Sequence, residues 1–243
     1  MTDFPTPYVS NDLKDRVALV TGTTSGLGRR FALVLAACGA KVALTGRRAE
    51  RLDELAKEIR ESGGTCHPIP FDITDEKQIP EVVDKAQKEL GLVDILVNNA
   101  GILRRETLDN LDFDSIRAQF EVNALGPLRV TAALRTNLST GSKVAIITSR
   151  MGSIADNTSG SRYGYRMSKA AVNMAGASLA HDMRHSGVAV ALLHPGFVKT
   201  DMTGGMGDVS TETSVRGLVA RIDGLELSNS GTFWHAQGQI LPW

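Results

Sequence analysis

The feature that most constrains the fold is a glycine-rich turn near the start of the chain. The apolar run VALVT at 17–21 leads into GTTSGLG at 22–28, and residues 29–40 then carry apolar side chains at helical spacing. A short, continuous apolar run is typical of a strand that is buried on both faces of a parallel sheet. Such a turn can direct backbone N–H groups and a helix N-terminus at a pyrophosphate. The segment therefore predicts a dinucleotide-binding βαβ unit, and a tight turn that merely needs glycine is the alternative.

The end of the second predicted strand indicates which dinucleotide is bound. The strand KVALTG at 41–46 is followed by Arg47 and Arg48, with no carboxylate at its tip. In dinucleotide folds an acidic side chain here accepts from the ribose 2′-hydroxyl, whereas arginine accommodates a 2′-phosphate. We therefore expect NADP(H) to be preferred over NAD(H), although a solvated helix start would also explain two arginines.

Strands and helices alternate along the rest of the chain. Further strands are predicted at 65–71, which ends at Asp72, at 93–97, at 142–149, at 188–194 and near 232–243. This alternation predicts an α/β fold, a doubly wound parallel sheet of Rossmann type with helices on both faces. We expect a single domain over 1–243, with a polar leader at 1–15 and a mobile substrate loop at 200–215. Asp72 contacts the adenine edge or simply belongs to its turn.

A long helix is predicted from Asp112 to Leu138, with an irregularity inside it. Pro127 lacks the N–H that would bond the carbonyl of Asn123, four residues earlier. We hypothesise that the free carbonyl holds a water molecule in a proton relay. A simple kink at Gly126-Pro127 is the alternative.

Tyr165 and Lys169 are four residues apart at the start of another predicted helix. Residues at this spacing share a helix face, so the ammonium could favour the ionised phenol. The pair is weak evidence alone, but it would make tyrosine a usable proton donor.

Composition excludes several classes of function. Lys plus Arg and Asp plus Glu both total 27, so no broad field attracts nucleic acid or an anionic membrane. Two unpaired cysteines fit a reducing compartment, and there is no signal-like or membrane-spanning segment, so we expect a cytoplasmic protein. His181, His185 and His194 give a conceivable metal site, but the glutamate of the zinc-protease motif is missing and we expect no metal.

The ordered set of motifs resembles the short-chain dehydrogenase/reductase family along nearly the whole chain. It comprises TGTTSGLG at 21–28, Asp72, NNAG at 98–101, Asn123, Ser149, YRMSK at 165–169 and HPGFVKT at 194–200. The resemblance implies a catalytic tetrad of Asn123, Ser149, Tyr165 and Lys169, a seven-stranded sheet, and homodimers or homotetramers. The predicted cofactor contacts are Gly22, Thr24, Ser25, Gly26, Leu27, Gly28, Arg47, Arg48, Asp72, Ile73, Asn99, Ala100, Gly101, Tyr165, Lys169, Pro195, Gly196, Val198 and Thr200.

One departure from the family concerns the serine. Most members place it thirteen residues before the tyrosine, whereas Ser149 lies sixteen before Tyr165. Gly152 occupies the usual position and Ser153 is the next candidate. We choose Ser149 because TSRMG keeps a strand-end serine followed by a glycine.

The implied reaction is hydride transfer between NADP(H) and a carbonyl or secondary alcohol, with Tyr165 as general acid/base. The expected pocket residues suggest a small, mainly apolar substrate: Leu103, Arg104, Met151, Ile154, Met202 and Met206. The C-terminal half resembles the C-factor-like branch of the family, which includes proteins discussed as signals. The alternative function is therefore an NAD(P)-binding signalling or regulatory protein with incidental reductase activity.

Overall fold

The strands form a parallel sheet with its crevice at the carboxyl end of the first strand. The computed structural model describes residues 13–243, so the predicted leader at 1–15 lies outside the described residues except for its last three. Within this range the sheet has seven strands in the order β3-β2-β1-β4-β5-β6-β7, and every neighbouring pair is parallel. The strands are β1 Val17–Thr21, β2 Lys41–Gly46, β3 Thr65–Pro70, β4 Ile95–Asn98, β5 Lys143–Ile147, β6 Ala189–His194 and β7 Phe233–His235.

Helices cover both faces of the sheet, which confirms the predicted fold class. They are α1 Gly26–Ala37, α2 Ala49–Glu61, α3 Gln78–Leu90, α4 Phe113–Phe120, α5 Gly126–Ala133, α6 Tyr163–Asp182 and α7 Thr211–Asp223. Alternation along β1 sends Ala18 and Val20 into one apolar core with α1, α2 and α7. Val17 and Leu19 enter a second core with α3, α5 and α6. The chain order reverses between β1 and β4, and a crevice at such a point is where open α/β sheets bind ligands.

The irregularity predicted inside the helix over 112–138 is present, but it divides the helix into three segments, and the last of them ends at Ala133. Asp112 caps α4 by accepting from the N–H groups of Asp114 and Ser115. A five-residue π-helical turn, Glu121–Leu125, then precedes α5, and the N–H of Gly126 bonds the carbonyl of Glu121 five residues back. The missing N–H of Pro127 accounts for the change, since the ordinary ladder cannot continue through proline. Single π turns inside α-helices are frequent at functional sites, and Asn123 lies within this one.

The ends of other elements also differ from the predicted ones. Strand β5 ends at Ile147 rather than Ser149, and α6 begins at Tyr163, two residues before Tyr165. The predicted loop at 200–215 includes the start of α7, so its last five residues are helical. The mobility of residues 200–210 stays a prediction.

Candidate active site

Two cavities open at the carboxyl end of the sheet and meet at Tyr165. The first, of about 270 Å³, runs from the turn after β1 to the ends of β2, β4 and β5. The second, of about 400 Å³, lies between the end of β5, α6 and the segment after β6. Tyr165 lines both cavities, Lys169 lines only the first, and Ser149 lines only the second. This arrangement places the phenol between two neighbouring binding spaces.

Close backbone packing shapes the end of the first cavity that lies at the glycine-rich turn. A Cβ added to Gly28 would lie 2.1 Å from the carbonyl oxygen of Gly22, so no side chain fits where α1 begins. Gly22 has a φ of 73° and lies against Ala100, which brings the ends of β1 and β4 together. Asn99 fastens this contact, because its Nδ2 donates to the Thr21 carbonyl at 2.9 Å. The turn thus presents backbone N–H groups and the N-terminus of a twelve-residue helix, which suits a pyrophosphate.

The other end of this cavity is cationic. Arg47 and Arg48 line it and are exposed. Arg48 also donates to the hydroxyls of Thr24 and Ser25 in the glycine-rich turn. Asp72 lines the cavity too, and its Oδ1 accepts from the N–H and hydroxyl of Thr74. The position of Asp72 is therefore compatible with a contact to the adenine edge and with a purely structural role in its turn.

Most of the predicted cofactor residues lie together around the first cavity. Gly28, Gly196 and Val198 do not line it: Gly28 packs under the turn, whereas Gly196 and Val198 line the second cavity. Sequence reasoning missed several residues that do line the first cavity, namely Thr21, Gly46, Phe71, Ile102, Val122, Ile147, Thr148, Asp201 and Met202. All of them except Val122, which lies in the π-helical turn, are at strand ends or in the segments that follow them, so the topology could have indicated them.

Asn123 is held by three hydrogen bonds and is almost fully buried. Its Oδ1 accepts from the N–H of Ile102 at 2.8 Å, and its Nδ2 donates to the Ile102 carbonyl and to the Ser168 hydroxyl at 2.9 and 3.0 Å. A Cβ built on Gly101 would lie 3.3 Å from this Oδ1 and 3.8 Å from the Nζ of Lys169. The side chains of Asn123 and Lys169 therefore flank the same piece of backbone.

Tyr165 is 8% exposed, and burial raises the pKa of its phenol above the usual value. A hydrogen bond from Ser149 lowers this pKa by a smaller amount. Ser153 has a different environment, because its hydroxyl accepts from the N–H of Asp156 and it does not line the second cavity. The geometry therefore favours Ser149 over Ser153 as the partner of Tyr165.

Lys169 shares the helix face of Tyr165 but bonds elsewhere. Its Nζ lies 5.7 Å from the centre of the tyrosine ring and donates to the Ile147 carbonyl at 2.9 Å. Burial lowers the pKa of Lys169 to about 8. The Nζ of Lys169 therefore bonds a backbone carbonyl rather than the phenol, and the expected effect of the ammonium on the phenol stays a prediction.

The sixteen-residue spacing is accommodated in the wall of the second cavity. A short 3₁₀ turn, Arg150–Gly152, follows Ser149, and three successive left-handed residues, 160–162, precede α6. A Cβ on Gly152 would lie 2.6 Å from the backbone carbon of Lys169. No side chain fits at the position where the family commonly has its serine.

The second cavity is apolar over most of its surface but has a basic side. Leu103, Met151, Met202 and Met206 line it as expected, whereas Arg104 and Ile154 do not. Three arginines that sequence reasoning missed line it as well: Arg105, Arg150 and Arg162. Arg150 follows the proposed serine directly, so its position in sequence was the available signal.

The three histidines do not converge. His181 is exposed on α6, His185 is exposed in the 3₁₀ turn that follows, and His194 lines the second cavity. Among residues 13–243, no group of three His, Cys, Asp or Glu side chains has the geometry to hold a metal ion. Within the same range, every helix is too short or too polar to cross a membrane.

Comparison with known proteins places this site in a family. Residues 16–210 match the family described as short chain dehydrogenase. The chain is 40% identical over 190 residues to the 1-hydroxy-2-glutathionyl-2-methyl-3-butene dehydrogenase of Rhodococcus sp., which covers 76% of this chain and 84% of that protein. It is 48% identical over 156 residues to the C-signal protein of Myxococcus xanthus, which covers 63% of this chain and 94% of that protein.

A solved structure is also similar. The NADPH-bound carbonyl reductase from chicken fatty liver superposes with a TM-score of 0.85 at 30% identity, over 95% of this chain and 100% of that one. Fold, motif order and relatives agree: the chain belongs to the short-chain dehydrogenase/reductase family of oxidoreductases.

Proposed function

We propose that this protein transfers a hydride between NADP(H) and a carbonyl or secondary alcohol group, with Tyr165 as general acid/base. The position of Tyr165 carries the proposal, because its phenol borders both the cavity that suits a dinucleotide and the apolar cavity beside it. A substrate in the second cavity would be next to a bound nicotinamide and within reach of the phenol. The names of the dehydrogenase relative and the NADPH-bound carbonyl reductase support this reaction class.

The dinucleotide would be held by the glycine-rich turn at one end and by Arg47 and Arg48 at the other, and when bound it would supply or accept the hydride. Tyr165 would give its proton to the substrate oxygen during reduction and take it back during oxidation. Ser149 would donate a hydrogen bond to the same oxygen and so stabilise the charge that develops there. Lys169 would contact the cofactor from the first cavity, and Asn123 would connect Lys169 to solvent through a water on its main-chain carbonyl.

Tyr165→Phe tests this assignment. We expect loss of turnover with NADPH binding largely intact, because the substitution removes the acidic hydrogen and keeps the ring. NADPH oxidation against a panel of ketones and aldehydes gives the rate, and NADPH fluorescence titration gives the affinity. Phe120→Tyr, a change at a half-buried aromatic residue that lines neither cavity, serves as a control for altered packing. Retained activity in Tyr165→Phe would contradict the role.

We also propose that the adenosine end selects NADP(H). Two arginines border the cavity there, and a Cβ on Gly46 would lie 2.9 Å from Thr24 Cγ2, so an acidic side chain at the tip of β2 is disfavoured. Hydrogen bonds to a charged group contribute about 1.5–3 kcal/mol. The double change Arg47→Ala with Arg48→Ala should therefore reduce kcat/KM for NADPH by about 10- to 100-fold. The value for NADH should change little, and an equal loss with both cofactors would contradict phosphate recognition.

A second candidate function is signalling or regulation with incidental turnover. The similarity to C-signal favours it, since this relative is the more identical of the two described above. The two functions differ in a simple observation: a regulatory protein should bind NADPH tightly and yet leave every carbonyl in a broad panel unreduced. Rapid reduction of any member of the panel would favour the enzyme.

We further propose a cytoplasmic homodimer or homotetramer. Exposed apolar side chains on α4 and α6 support self-association: Phe113 is 61% exposed, Met167 49% and Met174 70%. Sedimentation analysis of the wild type and of Met174→Glu would test this, because a charge in a dimer interface should shift the protein toward the monomer.

A further inference from the structure

We infer that the substrate of the second cavity carries an acidic group, a carboxylate or a similar organic anion, that is bound by Arg162 and Arg105 beside Arg150. This inference names the substrate class and rests on the proposed oxidoreductase function. It begins from the charges in the cavity wall. Three arginines line this cavity, and no aspartate or glutamate of residues 13–243 does.

Two of these arginines have no compensating partner. Neither Arg105 nor Arg162 makes a side-chain hydrogen bond or ion pair with any residue in the described part of the chain. Arg150 is partly compensated, because its Nε lies 2.7 Å from Oδ2 of Asp156. The cavity therefore has a net positive wall in a protein whose formal net charge is zero.

The charge of Arg150 also acts on two histidines, His194 in the cavity wall and His235 next to it. Burial, followed by the charges of His235 and Arg150, lowers the pKa of His194 to about 3. The pKa of His235 is also lowered, first by burial and then by Arg150. Burial penalises any charge, but the Arg150 charge that disfavours protonation of these imidazoles would favour a bound anion.

The backbone holds Arg162 in an unfavourable conformation. Arg162 has a φ of 53°, and Ser161 and Gly160 before it are left-handed as well. This is costly for residues other than glycine. Two sets of hydrogen bonds maintain the conformation: the N–H of Arg162 donates to the Glu106 carbonyl at 2.7 Å, and Arg166 Nε donates to the carbonyls of Gly160 and Ser161. Strained residues that their surroundings fix in place are typical of ligand clamps.

The position of Arg162 along the chain adds a second cost. It is the N-cap of α6, a helix of twenty residues, and its side chain makes no capping hydrogen bond. The helix dipole disfavours a cation at this end. The positive charge of Arg166 is also close, because Arg162 contributes, after burial, to lowering the pKa of Arg166. An acidic group bound here would relieve both interactions, three residues before Tyr165.

The remainder of the wall defines the rest of the substrate. Leu103, Met151, Phe197 and Met206 give the cavity an apolar surface between the arginines and Tyr165. A molecule that matches this wall has a carbonyl or alcohol at one end, an apolar middle and an acidic group at the other. Arginine suits carboxylates because its planar guanidinium can make two parallel hydrogen bonds.

The experiment compares straight-chain oxo acids, starting with levulinate, with their methyl esters. We expect kcat/KM with NADPH to be higher for the acids. Arg162→Gln and Arg105→Gln should each reduce it about 10- to 100-fold for the acids and leave the esters within a few-fold. Arg104→Gln is the matched control, because this neighbour is exposed and does not line the cavity. Arg162→Gly removes the guanidinium and also relieves the left-handed backbone, so a loss shared by Gln and Gly is due to the charge.

A second readout separates this inference from the proposed reaction. The unfolding temperature of the NADP-bound protein is measured with saturated fatty acids and with their methyl esters. Stabilisation by the acids that is lost in Arg162→Gln would support the acidic subsite even if no carbonyl is reduced. Equal rates for acids and esters, or a preference for acids that survives the double Arg105→Gln/Arg162→Gln change, would overturn the subsite. Reduction of the esters would then still support the oxidoreductase.

Discussion

Replacing Lys169 with methionine should stabilise the protein without its cofactor while abolishing turnover. Lys169 is 4% exposed, and burial lowers its pKa from 10.5 to about 8. A positive charge at this depth disfavours the folded state, because water solvates the ammonium better than the protein interior does. Methionine has a similar length and no charge, so the substitution removes this penalty.

The size of the effect follows from the pKa shift. A shift of about 2.5 units at 1.36 kcal/mol per unit disfavours folding by about 3 kcal/mol at pH 7. The lost hydrogen bond from Nζ to the Ile147 carbonyl offsets about 1 kcal/mol of the gain. We therefore expect Lys169→Met to raise the free energy of unfolding by about 2 kcal/mol at neutral pH.

The lowered pKa of Lys169 determines how the stability difference between the wild type and Lys169→Met changes with pH. Below pH 8 both the folded and the unfolded states carry the proton on Lys169, so the penalty is complete. Between about pH 8 and the ordinary lysine pKa of 10.5 the folded state loses the proton first, and the wild type becomes more stable relative to the variant. The advantage of Lys169→Met should therefore disappear near pH 10.

Urea unfolding followed by circular dichroism, near pH 7 and near pH 10, measures both quantities. Lys85→Met is the control, because Lys85 is exposed on α3 and its removal should change the free energy of unfolding by less than about 0.5 kcal/mol at either pH. A variant that is less stable than the wild type at pH 7, or a difference that does not change with pH, would refute the argument that the buried charge is penalised.

Three further predictions concern the surroundings of the site. Burial lowers the pKa of His194 to about 3, so the unfolded chain binds the proton before the folded protein does as the pH falls below 6.5. Urea titrations should therefore show that His194→Asn loses about 2 kcal/mol less stability than the wild type between pH 6 and pH 4. Asn123→Ala removes three buried hydrogen bonds and should cost about 3 kcal/mol in chemical unfolding, whereas the exposed Asn110→Ala should cost little. Gly152→Ala would place a Cβ 2.6 Å from the α6 backbone and should lower the melting temperature and kcat together, in contrast to Gly224→Ala, whose nearest contact is an ordinary 3.5 Å.

The sequence alone was sufficient to predict the strands of the sheet, because each strand is indicated by its own few residues. Short strand-like runs between helical stretches predicted all seven strands that enter the parallel sheet, and the glycine-rich turn marked the start of α1. The broken helix around Asn123 was harder to predict. Pro127 indicated an irregularity, but a kink and a π turn satisfy the same missing N–H, and only the surrounding packing decides between them.

The basic side of the second cavity depended on segments that sequence patterns describe poorly. Arg162 reaches the cavity because three residues in succession are left-handed, and two of them are not glycine. Propensity disfavours that conformation at Ser161 and Arg162, so the turn exists only because Glu106 and Arg166 hold it. Arg105 rather than Arg104 lines the cavity for a comparable reason: the backbone N–H of Arg104 bonds the Gln119 side chain, which fixes the orientation of this segment.

The pair of Tyr165 and Lys169 shows what spacing can and cannot determine. Residues four apart on a helix must share a face, and the 5.7 Å between Nζ and the ring centre agrees with that. The spacing does not determine how deeply the two side chains are buried, and burial controls their pKa values. Both groups are buried deeply enough that desolvation moves their pKa values in opposite directions, raising that of the phenol and lowering that of the ammonium to about 8. Lys169 bonds the Ile147 carbonyl instead of the phenol, so its charge acts on the phenol across space and not through a hydrogen bond. Ser149, which comes from the end of a strand rather than from the helix, is a group whose hydrogen bond stabilises the ionised tyrosine, so the acid/base properties of the helical pair depend on a residue outside the helix.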